Sequence, residues 1–218
     1  MDILITGTSD GIGRATAEYF LERGHSVVGF DRKPPALAHP NYRHEILDIC
    51  DADAYPEDVQ PEILINNAGV QDSGRDIEIN LMGTIRITEK YAIANPRIRA
   101  VVMVGSASAH TGSEFPEYAA SKGGLLTYTK NAALRLAPRA VCNSIDPGGV
   151  LTDLNRPVME DPKLWNQIMA LTPLRRWATP EEIAEWIYFV GVRNRFMTGQ
   201  NLLIDGGEAG DAHFVWKD

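Results

Sequence analysis

Thr6-Gly7-Thr8-Ser9-Asp10-Gly11-Ile12-Gly13 is the stretch on which the reading of this chain turns. It follows the apolar run Ile3-Leu4-Ile5. It precedes a segment in which Ile12, Ala15, Tyr19 and Phe20 share one helical face, with Gly24 placed to end the helix. A tight strand-to-helix turn needs the backbone freedom of glycine. Such a turn also lets a pyrophosphate approach the main chain, where a helix N-terminus offers unpaired N–H groups and the positive end of its dipole. The competing reading is a glycine-rich turn that binds nothing. Its position at the first strand-to-helix junction favours the anion site.

Outward from that turn, short apolar runs recur at Val27-Val28-Gly29-Phe30, Ile63-Leu64-Ile65, Val101 to Val104, Val141 to Ile145 and Leu202-Leu203-Ile204, with Tyr42 to Leu47 as a weaker seventh. They are continuous rather than alternating, as strands buried on both faces of a parallel sheet are. Helical stretches lie between them, the longest at Ile77 to Ala94 and Glu117 to Ala137. Thr179-Pro180-Glu181-Glu182 reads as a capped helix start. The alternation predicts a single α/β domain, doubly wound, on a parallel seven-stranded sheet. Two links are lean. Asp31 to Asn41 carries Pro34, Pro35 and Pro40, and Asp51 to Pro61 has room for a turn or two, so the sheet face beside them is predicted to be trimmed.

Composition narrows the function classes. The 218 residues are 44% hydrophobic and 23% charged, values of a globular domain, which disfavours disorder. The net charge of −8 argues against nucleic acid as a partner, and no apolar run is long enough to span a membrane. The first strand begins too early to leave room for a signal peptide, and two cysteines are too few for a disulfide scaffold, so a cytoplasmic address is expected. The five histidines show no metal-ligand spacing, and no metal is expected. Among them, His110 could rim a pocket but reads more readily as part of a solvated loop.

The second strand ends at Asp31, about 20 residues past the glycines, where a carboxylate can bind both hydroxyls of an adenosine ribose and repel a 2′-phosphate. Asp10 adds a second negative charge. Arg32 and Lys33 pull toward a 2′-phosphate. The two acids weigh more, so NAD is expected over NADP. Further on, Tyr118 and Lys122 stand at i, i+4 on one helix face. A phenol is too weak an acid to serve as a base at neutral pH, and a neighbouring ammonium favours its ionised form. The pair taken alone also reads as a surface pair.

These motifs together resemble the short-chain dehydrogenase/reductase family. The glycine turn, Asn66-Asn67-Ala68-Gly69, Asn80-Leu81-Met82-Gly83-Thr84, Ser106, Tyr118-Ala119-Ala120-Ser121-Lys122, Pro147-Gly148 with Thr152, and Thr198-Gly199-Gln200 through Asp205-Gly206-Gly207 occur in the family's order. The compact plan is similar to that of bacterial hydroxysteroid dehydrogenase/carbonyl reductases. The resemblance implies a Rossmann-type fold and an NAD(H)-dependent interconversion of a secondary alcohol and a ketone. Tyr118 would be the acid/base, Ser106 would hold the substrate oxygen, Lys122 would tune Tyr118 and grip the nicotinamide ribose, and Asn80 would support a water relay. The serine-to-tyrosine spacing of 12 is one short of the usual, which makes Ser108 a rival to Ser106.

The resemblance assigns the cofactor to Gly7, Ser9, Asp10, Gly11, Ile12 and Gly13 at the pyrophosphate, Asp31 and Arg32 at the adenosine ribose, and Asp48 and Ile49 at the adenine. Asn66, Ala68 and Gly69 fall on the ribose side, and Pro147, Gly148, Val150 and Thr152 near the nicotinamide, with Tyr118 and Lys122 completing the set. Asn66 to Gly69 also reads as a turn bracing the central strands. A short lid is expected over about 153–178, where Trp165, Met169 and Leu171 lie, and Trp177 and Trp186 read as core or interface. The family's homotetramers and homodimers, built on the helices carrying Asn80 and Tyr118, are the expected assembly, with the apolar tail His213-Phe214-Val215-Trp216 docking on another subunit. An NADP(H)-dependent carbonyl or 3-oxoacyl reductase, a non-catalytic dinucleotide-binding regulator and a nucleotide-sugar epimerase are the alternatives.

Overall fold

Seven strands lie parallel in the order β3-β2-β1-β4-β5-β6-β7. They are β1 (Asp2–Thr6), β2 (Ser26–Asp31), β3 (Tyr42–Ile46), β4 (Ile63–Asn66), β5 (Ala100–Val104), β6 (Val141–Pro147) and β7 (Asn201–Ile204). The computed structural model describes residues 1–113 and 115–210, so the tail with His213 and Trp216 lies outside the described residues. The helices are α1 (Gly11–Leu21), α2 (Thr84–Thr88), α3 (Ser108–Thr111), α4 (Pro116–Leu136), α5 (Arg156–Met159), α6 (Pro162–Leu171) and α7 (Pro180–Tyr188). Wide helical turns at Ile77–Gly83 and Glu89–Ile93 extend α2 at both ends into one rod, and Phe189–Arg193 extends α7. No helix among the described residues is long and apolar enough to cross a membrane.

The strand runs are continuous because both faces are covered. Ile3 and Ile5 join Ala17, Phe20, Ile183 and Ile187 in the core beneath α1 and α7. Leu4 and Leu64 point the other way, to Ile87, Tyr91, Ala132 and Leu136 beneath α4 and the α2 rod. Gly24 closes α1 in a left-handed conformation (φ 77°), with its N–H on the carbonyl of Leu21 and that of His25 on Phe20. The two lean links hold no α-helix. Residues 32–41 run without regular structure, and 51–61 contain one short turn at Ala52–Ala54. The face beside β3 is accordingly bare, and Ile46 is 65% exposed.

Strand order decides where a site can form. The chain winds one way from β1 to β3 and the other way from β4 to β7, so the links leaving β1 and β4 diverge. That divergence opens a crevice at the carboxyl ends of the central strands. α7, which supports the sheet from below that region, begins with a complete capping box. Thr179 Oγ1 accepts the Glu182 N–H, and the Glu182 carboxylate accepts the Thr179 N–H. Thr179→Ala is expected to cost about 1 kcal/mol and to lower the thermal midpoint by about 2–4 °C in a melt followed by circular dichroism, while Thr179→Ser keeps it.

Candidate active site

The crevice is a cleft of about 830 Å³ above the strand ends. Its floor is a clasp between the turns after β1 and β4. Thr6 Oγ1 accepts the N–H groups of Asn67 and Ala68, both at 3.0 Å, and Asn67 Nδ2 donates to the carbonyls of Thr6 (3.0 Å) and Gly7 (3.2 Å). Gly7 has φ 77°, and a Cβ there would stand 2.8 Å from Asn67 Nδ2. A Cβ on Gly13 would stand 2.0 Å from the Gly7 carbonyl oxygen, so this glycine lets α1 close onto the turn. Asp10 caps α1 by accepting the Gly11 N–H at 2.8 Å. Gly7, Asp10, Gly11 and Ile12 line the cleft. Gly13 and Ser9 do not, and hold the turn in shape instead.

Asp31 lines the cleft at the end of β2. Its two oxygens accept the N–H groups of Ser9 and Lys33, each at 2.9 Å, which fixes the carboxylate and leaves further acceptor capacity. The flanking cations are engaged by acids. Arg32 lies 3.9 Å from Asp48, and Lys33 lies 3.3 Å from Asp10. Asp48 and Ile49 also line this end. A phosphate entering here would meet Asp10, Asp31 and Asp48 together.

On the β4 side, Ala68 and Gly69 line the cleft, and Asn66 does not. The Asn66 side chain is buried and donates to Thr88 Oγ1 at 2.9 Å. It therefore braces β4 against the α2 rod, and the expectation that it faces a ribose is corrected. Asn67 lines the cleft instead. Asn80 is also fully buried. Its Oδ1 accepts the Val70 N–H at 2.8 Å, and its Nδ2 donates to the Val70 carbonyl (2.9 Å) and Ser121 Oγ (3.1 Å). Both amide protons are used, so its side chain ties the loop after β4 to α4. A Cβ on Gly69 would stand 3.1 Å from Asn80 Oδ1 and 3.5 Å from Lys122 Nζ, so Gly69 separates the two.

Tyr118 and Lys122 lie one turn apart near the start of α4, with Lys122 Nζ 5.7 Å from the Tyr118 ring centroid. Both line the cleft. Lys122 is buried and donates to the Val104 carbonyl at 2.9 Å. Burial pulls its amine down to about 8, opposed by the charges of Asp146 and then Asp76. Ser106 and Ser108 are both buried and both line the cleft. Ser106 Oγ accepts the Ser108 N–H at 3.1 Å, which orients the Ser106 hydroxyl and leaves its proton to donate. Ser108 opens α3. Pro147, Gly148, Val150 and Thr152 line the opposite wall.

Residues that the sequence left open take definite places here. His110 is exposed, as expected, but stands on α3 rather than in a loop. Its Nε2 lies 2.7 Å from Oδ2 of Asp146, a wholly buried carboxylate on β6. Trp177 is buried, lines the cleft and packs edge-on to Trp165 with ring centroids 4.9 Å apart. Its indole nitrogen rests on Gly149, where a Cβ would stand 1.9 Å away. Trp186, by contrast, is 43% exposed on α7 and packs edge-on to Phe189. Three or more histidine, cysteine or acidic side chains placed to hold a metal ion are absent among the described residues.

Comparison with known proteins agrees with this arrangement. A family profile described as enoyl-(acyl carrier protein) reductase matches residues 60–208. A 3-oxoacyl-[acyl-carrier-protein] reductase of Thermotoga maritima is 30% identical over 94% of this chain and 96% of its own. A 4-hydroxyisoleucine dehydrogenase solved with NADH superposes with a TM-score of 0.89 at 27% identity, covering 97% of this chain and 99% of its own. A protein described as a 2-deoxy-D-gluconate 3-dehydrogenase, from Agrobacterium tumefaciens and solved with NADP, gives 0.87 at 27% identity over 96% of each chain. With the fold, the motif order and these likenesses in agreement, the chain belongs to the short-chain dehydrogenase/reductase family of oxidoreductases.

Proposed function

We propose that this protein is an NAD(H)-dependent oxidoreductase that interconverts a secondary alcohol and a ketone, with Tyr118 as the general acid/base. The observation that carries the reading is that Tyr118, Lys122 and Ser106 share one cleft with the glycine turn and Asp31. The residues fit a dinucleotide. Gly7 and Gly11 have positive φ, and a side chain on Gly7 would collide with the β4 turn, so the bare backbone that a pyrophosphate needs is built in. Gly7, Gly11 and Ile12 would hold the pyrophosphate, and Asp31 the adenosine ribose hydroxyls, with Asp48 and Ile49 beside the adenine. Ala68, Gly69, Lys122, Pro147, Gly148, Val150 and Thr152 would hold the nicotinamide half. When bound, the nicotinamide supplies or accepts the hydride.

The chain's own residues handle the proton. Tyr118 takes the hydroxyl proton in alcohol oxidation and returns one to the carbonyl oxygen in reduction. Lys122, as an ammonium, favours the ionised phenol. Ser106 donates a hydrogen bond to the substrate oxygen and holds it beside Tyr118. Residues 153–178 would close over the substrate. Leu154, Val158, Ile168 and Trp177 line that side of the cleft and support an apolar wall there. Association through the helices bearing Asn80 and Tyr118 is supported by Met82 and Leu134, which are 41% and 81% exposed. The free thiols of Cys50 and Cys142 support a cytoplasmic address. A second reading, reduction of a 3-oxoacyl thioester, is favoured by the likeness to the Thermotoga maritima enzyme. A spectrophotometric panel of secondary alcohols with NAD, and of ketones and acetoacetyl-CoA with NADH or NADPH, separates the two.

Two variants test the site. Tyr118→Phe is expected to lower turnover by about 10²–10⁴-fold, while NADH binding, read by its fluorescence, is unchanged. A variant as active as wild type would remove Tyr118 from the chemistry. Asp31→Ala is expected to weaken NAD by roughly ten- to a hundredfold, the range of hydrogen bonds to a charged group, and to relax discrimination against NADP. Steady-state kinetics showing NADP(H) preferred by the wild type would overturn the reading of Asp31.

A further inference from the structure

We propose that the buried Asp146 and its partner His110 form a pair that keeps Lys122 in its ammonium form, with Asp146 supplying the counter-charge and His110 holding it ionised. The inference rests on the assignment of Lys122 to the active site. Asp146 lies near the carboxyl end of β6, one residue past the Val104–Ile145 pairing with β5. Side chains alternate along a strand. Cys142 belongs to the core beneath α4 and Ile145 to the opposite core, which puts Asp146 on the α4 face, the face of Lys122.

The carboxylate has no exposed surface. Its Oδ2 meets His110 Nε2 at 2.7 Å, and its Oδ1 has no hydrogen-bond partner among the described residues. Oδ1 presses against Gly105, where a Cβ would stand 2.0 Å away, so the chain makes room for this acid with a glycine. A buried carboxylate with one oxygen unpaired is under-satisfied and needs an opposite charge. Burial pushes its carboxyl up, while His110 and the Ser144 side chain, and then the charge of Lys122, pull it down. Strands β5 and β7 bring it no titratable side chain. The groups that face the Asp146–Lys122 region are His110 from α3, Tyr118 and Lys122 from α4, and Asp76 from the turn before the α2 rod. Asp76 is occupied by the N–H groups of Asp72 and Ser73 and by the Ser73 hydroxyl. Asp146 is the acid with capacity to spare. His110 reaches it from α3, with its side chain 27% exposed, and so links the serine-bearing turn to the buried charge.

The test reads Lys122 directly, without substrate or nucleotide. In protein carrying ¹³C-lysine, the Lys122 ε-carbon resonance is assigned by its loss in Lys122→Met and followed against pH. Asp146→Asn is expected to lower the midpoint by about one pH unit, as loss of a nearby opposite charge does. His110→Leu is expected to do the same, because the unpaired buried carboxyl takes up a proton. His110→Gln, whose amide can donate the same hydrogen bond, is expected to restore the wild-type midpoint. A midpoint unmoved in Asp146→Asn with native-like melting overturns the proposal, and a shift there without one in His110→Leu overturns the role of His110. Should Asp146→Asn fail to fold, the His110→Leu and His110→Gln pair decides alone. A protein inactive on every substrate in the panel would sink the oxidoreductase reading without changing these midpoints.

Discussion

Lys122 Nζ donates to the carbonyl of Val104 from a buried position at the cleft wall, and the arrangement of the site follows from the need to keep that ammonium there. Removing such an ion from water costs several kcal/mol even after the surroundings relax. The helix α4 delivers it to the carboxyl end of β5, where a strand-end carbonyl remains available. Two buried acids, Asp146 and Asp76, supply field rather than direct contact. The tyrosine one turn earlier gains from the same charge. A surface lysine at the same spacing would be screened by water and would do little to a phenol.

The location of this cation is set by topology as much as by side chains. The crevice exists because β1 and β4 are neighbours whose following segments leave in opposite directions. The clasp of Thr6 and Asn67 closes the floor of that crevice and fixes the glycine turn against it. From there, Asp31 on β2, Ala68 after β4, Ser106 after β5 and Pro147 on β6 all end at one level. Parallel strands in close register place these residues together although they are far apart in the chain.

What could be read before the fold was known follows the same division. The glycine turn, Asp31 and the Tyr118–Lys122 pair are local patterns whose geometry follows from a turn or a helical period, and each lies where the pattern puts it. The capping box at Thr179 and the left-handed Gly24 are local for the same reason. Asn66 and Asn67 are adjacent and identical in type, but Asn66 ends β4 with its side chain in the core while Asn67 begins the turn that lines the cleft. The pairing of Asp146 with His110 joins β6 to the stretch after β5, which also carries the accommodating Gly105, so no short window of sequence contains the interaction. The burial of Lys122 is equally non-local, since a lysine on a helix ordinarily reaches water.

The lean links around β3 carry a further consequence. With no helix laid over one side, this strand is both the edge of the sheet and a partly bare surface, the kind of feature that recruits other chains into fibres. Its defence is chemical. Arg43 reaches Glu45 on its own strand and Asp58 on the following link, both at 2.6 Å, so an ion cluster guards the outermost strand. The economy of a short crossover is thus tied to charge at that border, and a chain that shed these ions while keeping the trimmed link would retain its catalytic cleft yet become prone to clumping.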